Sequence, residues 1–219
     1  MRITVTDYLD VVSSWCFWSE PTWAELKRRY QGRVDFQWKI ALMDKTGLPV
    51  SREQHDWFYR RSGMMMRSPF KLKSDWCDHT ESEFLAPNSV AEASKDFGAA
   101  GDEVRLALAK AALLEGKRIG NWELAAEIAA TAGRIDQKKL LERARSPEVE
   151  SRVRASTAEF RALQVTQRPT FLVDTEIGDR AVFSGVVKIE PIAAALDSML
   201  DDASAYAAHK AHFGDPPTS

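Results

Sequence analysis

The chain has 219 residues, 44% hydrophobic and 28% charged, a composition suited to a globular core rather than to disorder or fibre. Its formal net charge of −2 argues against a broad electrostatic grip on nucleic acid, and no run reaches the ~18 apolar residues of a membrane span. Two cysteines, Cys16 and Cys77, are too few for a disulfide framework or a four-thiolate zinc site; the start, Met1-Arg2-Ile3-Thr4-Val5, lacks the apolar run of a signal peptide, so a cytoplasmic protein with reduced thiols is expected.

Residues 3–12 alternate, with Ile3, Val5, Leu9 and Val11 on one parity, and predict a strand interrupted by the polar Asp7 and Asp10. A helix over 15–30 follows, carrying Trp15, Trp18, Trp23, Leu26 and Tyr30 and stopped at Gln31-Gly32. A second strand is predicted over 34–42. The chain thus opens β-α-β, and a right-handed crossover makes the two strands parallel. From 44 to 164 the patterns are helical: 51–61, then a loop over 63–87, then 88–97, 102–115, a helix capped by Asn121 and stopped at Gly133, and 136–145. Ser146-Pro147 supplies an N-cap followed by proline at the first helical position, opening a helix to about Leu163. Strands return at 170–173 and 181–184, joined as a hairpin. A last helix is predicted from Pro191 to about Leu200, and the tail 214–219 reads as frayed.

Three segments carry the chemistry. Asp10-Val11-Val12-Ser13-Ser14-Trp15-Cys16-Phe17 lies where the first strand meets the first helix, Pro21 follows five residues after Cys16, and Val165-Thr166-Gln167-Arg168-Pro169-Thr170-Phe171-Leu172-Val173 leads into a later strand. The first resembles the Cys-Pro-Trp-Cys segment of DsbA-like proteins, including cytoplasmic dithiol-disulfide isomerases. The second resembles the kinking proline of thioredoxin-fold helices, and the third resembles a strand entry with a cis-proline facing the active site. The resemblance implies an α/β thioredoxin-like fold with a helical insertion: residues 1–44 and 165–219 form the split thioredoxin-like domain, and 45–164 the inserted helical domain.

The resemblance also exposes a departure. Ser13 stands where the family's nucleophilic cysteine belongs, and Ser14 replaces its proline. Cys16 occupies the resolving position, so the usual dithiol cycle is not available there. Kappa-class glutathione transferases and 2-hydroxychromene-2-carboxylate isomerases are similar in layout and carry a serine whose hydroxyl hydrogen-bonds the sulfur of glutathione. By that likeness Ser13 would stabilise a thiolate, Ser14 and Trp15 would flank it, and Arg168 and Pro169 would form the opposite wall. The cofactor implied is glutathione or another low-molecular-weight thiol, and a homodimer is open because kappa-like relatives are often dimers. Their Ser-Gly-x-Asp-Arg site reads here as Ser184-Gly185-Val186-Val187-Lys188; the acid is missing, and the Lys188 ammonium lacks the planar fork of arginine.

Plainer readings stand beside these. Ser13 is also a good helix N-cap, and Cys16 a small buried hydrophobe. Asp75-Trp76-Cys77-Asp78-His79 holds ligand-type residues, but His55, His209 and His212 are scattered, so the segment reads as a polar loop and no metal is expected; a Cys16–Cys77 disulfide turns on a separation that sequence does not give. Arg60, Arg61, Arg67, Lys71 and Lys73 form a basic run without an intervening acid, either a solvated face or a grip on an anionic substrate. Trp57, Met64 and Met66 are candidate pocket lining, because the insertion of DsbA-like folds overhangs the active site. The expected function is a thiol-linked transferase or isomerase of a small anionic compound. The alternatives are a DsbA-like oxidoreductase using Cys16 and a non-catalytic peptide-binding module.

Overall fold

The computed structural model describes residues 2–214, so five residues of the expected tail lie outside the described residues. The order is β1 (Ile3–Leu9), α1 (Ser14–Arg29), β2 (Asp35–Ile40), α2 (Arg52–Met65), α3 (Leu85–Ser94), α4 (Glu103–Leu113), α5 (Trp122–Gly133), α6 (Gln137–Ala144), α7 (Pro147–Ala162), β3 (Thr170–Thr175), β4 (Arg180–Ser184) and α8 (Ile189–Phe213). The four strands form one sheet in the order β2-β1-β3-β4. β1 runs parallel to β2 and antiparallel to β3, and β3 and β4 form the antiparallel hairpin. This is the expected α/β architecture: a thioredoxin-like sheet with six helices between β2 and β3. None of the helices among the described residues is long and apolar enough to cross a membrane.

Alternation in the central strands explains why both faces are covered. Ile3, Val5, Phe171 and Val173 point to one face and pack with Trp23, Leu26 and Tyr30 of α1 and Ile192 and Leu196 of α8. Tyr8 and Leu172 point to the other and meet Phe160 of α7. The helices between β2 and β3 share a core with the sheet: Leu9, Trp38 and Ile40 cluster with Val90, Leu108, Val149 and Val153.

The boundaries differ from the sequence expectations for identifiable reasons. β1 stops at Leu9 because the Asp10 carboxylate turns inward, accepting from Val12 N at 3.0 Å and Met43 N at 2.8 Å. Val11 N, which would extend the ladder, instead donates to Asn88 Oδ1 at 3.0 Å. Asn88 does not begin a helix. α3 starts at Leu85, with Pro87 in the first turn, where a missing N–H costs nothing. α8 likewise starts before Pro191 and continues to Phe213, well past Leu200. Pro21 does lie inside α1.

Asn88 is fully buried and uses both ends of its amide: Oδ1 accepts from Val11 N, and Nδ2 donates to Asp10 Oδ1 at 3.1 Å and to Phe84 O at 2.9 Å. Replacing it by alanine strands a buried N–H and removes one donor from a buried carboxylate. Asn88→Ala is therefore expected to cost about 3 kcal/mol in urea unfolding; a loss below about 0.5 kcal/mol would show that the loop does not depend on this amide.

Candidate functional site

The β1–α1 junction places Ser13 at the N-cap of α1 with extended backbone angles. Its backbone N donates to Asp10 O at 3.0 Å, and its Oγ accepts from Cys16 N at 3.4 Å. A hydroxyl that caps by accepting keeps its own hydrogen for another partner. Helix N-termini also present unpaired N–H groups and the positive end of the macrodipole.

Ser13, Ser14 and Trp15 line a cleft of about 450 Å³. The segment Val165–Arg168 with Phe160 also lines it, as do Met43, Asp44, Phe58, Arg61 and Arg161. The Arg168–Pro169 peptide bond is cis. Pro169 is buried behind the lining, and its carbonyl accepts from Gly185 N at 2.8 Å. Gly185 has φ +72°, and an added Cβ would stand 3.0 Å from Gln167 Cβ, so this turn requires glycine.

Arg168 lines the cleft, but its guanidinium is largely engaged. It donates to Ala41 O, to Leu42 O at 2.9 Å and to Thr166 O at 3.4 Å, and it stacks 4.4 Å from the Phe160 ring centroid. It bolts the cis-proline segment to the chain leaving β2, a role the sequence did not reveal. Arg161 pairs with Asp44 at 3.1 Å, and Arg61 lies over the rings of Trp57 and Phe58 at 5.0 and 5.1 Å.

The remaining candidates lie apart. Cys16 is a free, buried thiol under the first turn of α1. Burial and the nearby Asp7 and Asp10 charges hold its pKa well above the ordinary thiol range, against the opposing hydrogen bond with Ser13. Trp57 and Met64 line a neighbouring groove with Arg60, Arg67 and Lys71, and Met66 packs at the edge of the large core. Lys188 is exposed, just before α8. Cys77 is also free, so the two cysteines are not joined.

Two buried groups gave no clear sequence signal. His55 lines the cleft, and burial pushes it down to about 4, leaving a neutral imidazole at pH 7. Asp7, central in β1, is almost fully buried, and its Oδ1 has no hydrogen-bond partner. Burial raises it to about 8, against the attraction of Arg105. Arg105 itself is buried, clamping Glu20 of α1 and Asp102; Asp102 also accepts from Trp23 Nε1 at 3.1 Å.

The DSBA-like thioredoxin domain model matches residues 4–197, and the chain belongs to this family. Among solved structures it is similar to a candidate protein disulfide isomerase from Nitrosomonas europaea, at 15% identity and a TM-score of 0.76, covering 92% of this chain and 99% of that one. It is similar to the cytosolic disulfide reductase DsbM from Pseudomonas aeruginosa, at 17% identity and a TM-score of 0.72, covering 90% and 98%. The same reductase solved with GSH gives 17% and 0.70, covering 90% and 99%. No curated protein matches by sequence.

The Asp7 pKa makes stability pH-dependent. An acid whose folded pKa is raised stabilises the fold when protonated, and that contribution is lost as pH rises from about 4 toward 8. Asp7→Asn is expected to flatten this slope and to add about 2 kcal/mol or more at pH 8. Urea unfolding at pH 5 and pH 8 checks it; equal slopes in the two proteins would contradict it.

Proposed function

We propose that the cleft binds a small anionic thiol, glutathione or another low-molecular-weight thiol, with its sulfur at Ser13. The chain then uses this thiol as the nucleophile in a transfer or isomerisation of a small anionic compound. The observation that carries this reading is that Ser13 lines the cleft at the head of α1, while Cys16 lies buried beneath it.

The chemistry follows from that placement. The Ser13 hydroxyl accepts from Cys16 N and also faces the Cys16 sulfur; in this reading its hydrogen turns from that sulfur to a thiolate in the cleft. A charge-assisted hydrogen bond and the helix N-terminus both favour the anionic form of the ligand. The ligand supplies the nucleophile that the chain lacks at this position. Its carboxylates find positive charge in the lining, from Arg61 and from Arg161, the latter also paired with Asp44. Lys188, outside the cleft lining, is not assigned a contact. The DsbM structure with GSH supports glutathione as the first ligand to try, and a cytoplasmic setting rich in reduced thiols suits the reading.

The alternative of a disulfide oxidoreductase working through Cys16 has less support. A buried thiol with a raised pKa has little thiolate to attack with.

Calorimetric titration with glutathione tests the reading. Ser13→Ala is expected to weaken binding about tenfold, the loss of one hydrogen bond to a charged sulfur, and to raise the bound thiol's pKa, read from its ultraviolet thiolate absorbance. Cys16→Ser is expected to bind as the parent does. Unchanged affinity and unchanged thiolate absorbance in Ser13→Ala would sink the proposal.

A further inference from the structure

His55 stands in the first turn of α2, and the segment containing Cys77 and His79 packs against it. The ligand-capable atoms of the three residues all lie within 4.8 Å of one another. His55 Nδ1 and His79 Nε2 are 3.3 Å apart. That is about the N···N edge of a tetrahedron built on metal–nitrogen bonds of about 2.0–2.1 Å. A hydrogen bond between two imidazoles would account for the nitrogens alone. It does not account for a thiol within 4.8 Å of both nitrogens.

The surrounding structure holds the trio in place. Trp76, next to Cys77, is buried, donates from Nε1 to Tyr59 OH at 3.1 Å and packs on Phe84. Cys77 N donates to Ser74 O at 3.1 Å. Ser74 Oγ donates to Asp56, the neighbour of His55. On the far side Asp78 accepts from Thr80 N at 3.0 Å and Thr80 Oγ1 at 2.7 Å, which turns its carboxylate to its own loop. Ligands held by their neighbours in this way are pre-positioned rather than gathered by the ion.

We propose that His55, Cys77 and His79 bind one Zn2+ ion. One thiolate and two imidazoles are a borderline-soft donor set, suited to zinc and unsuited to magnesium or calcium, which take oxygen ligands. Three protein ligands leave a fourth place, and His55 also borders the cleft, so a water can complete the site from that side. On binding, the Cys77 thiol gives its proton to solvent and coordinates as thiolate. His55 and Ser13 line the same cleft, but the metal assignment does not rest on the thiol reading.

Co2+ titration of the full-length protein, first stripped with a chelator, tests the proposal. The expected result is one Co2+ per chain, visible d–d bands of a tetrahedral ion, a near-ultraviolet thiolate-to-cobalt band, and displacement of all three by Zn2+. Cys77→Ser is expected to abolish the thiolate band, and His79→Ala to weaken Co2+ binding by at least about tenfold; His212→Ala, on the exposed end of α8, serves as the control and binds as the parent does. Absence of stoichiometric Co2+ binding, or a thiolate band that survives Cys77→Ser, overturns the assignment. Should Cys77→Ser lose its circular-dichroism signature of folding, the half-exposed His79 decides: unchanged affinity in His79→Ala also overturns it.

Discussion

The buried contact between Asp10 and Asn88 is the constraint on which the site depends. A carboxylate taken out of water is costly unless its lone pairs are filled. Asp10 accepts from Val12 N, Met43 N and Asn88 Nδ2, and these bonds counter the burial that raises its pKa. The donors come from three places: the loop after β1, the chain leaving β2, and α3. One side chain thereby ties together the end of β1, the cleft-lining Met43 and α3. The head of α1, and Ser13 with it, starts from this fixed point.

A second buried cluster sets the direction of α1 from there. Glu20 lies on α1, and Arg105 on α4 clamps it together with Asp102, which Trp23 and Lys27 of α1 also reach. Buried ion pairs add little net stability over apolar packing, but losing one partner leaves a charge with no solvent. Their contribution here is positional: they hold α1 against α4, with Asp7, whose Oδ1 has no hydrogen-bond partner, near Cys16. α1 is thus anchored at its head by a hydrogen-bonded acid and along its side by an ion cluster.

What the sequence revealed was local. Alternation in 3–9, a serine one residue before a helix and a proline opening a strand are signals carried by neighbouring residues, and they placed Ser13 and Pro169 in the fold. What it concealed depended on distance. Asn88 looked like a helix start because its partners, Asp10 and Val11, are 78 and 77 residues away. Arg168 lines the cleft as expected, but nothing nearby in the sequence shows that its guanidinium turns to Ala41 O and Leu42 O. His55 looked scattered because the packing of Trp76 against Tyr59, which carries Cys77 and His79 to it, is invisible at a spacing of 17 residues. Trp57 and Met64 were expected as pocket lining from the resemblance to DsbA-like folds, whose insertion overhangs the active site, yet α2 directs them to the adjacent groove.

The pairing of Ser13 with Cys16 has a single physical explanation. A helix N-terminus favours whichever sulfur lies in front of it, and does not require that sulfur to belong to the protein. On the proposed reading, with serine lining the cleft, the field and the hydroxyl would act on a ligand there. Cys16, one turn further in, lies behind Ser13 with its backbone N–H spent on the cap and its sulfur in the core. Burial that would disable a resolving thiol costs nothing once no partner cysteine stands at position 13. The residue then serves the packing beneath the first turn, and on the proposed reading the chemistry of the site would pass to the thiol that the cleft admits.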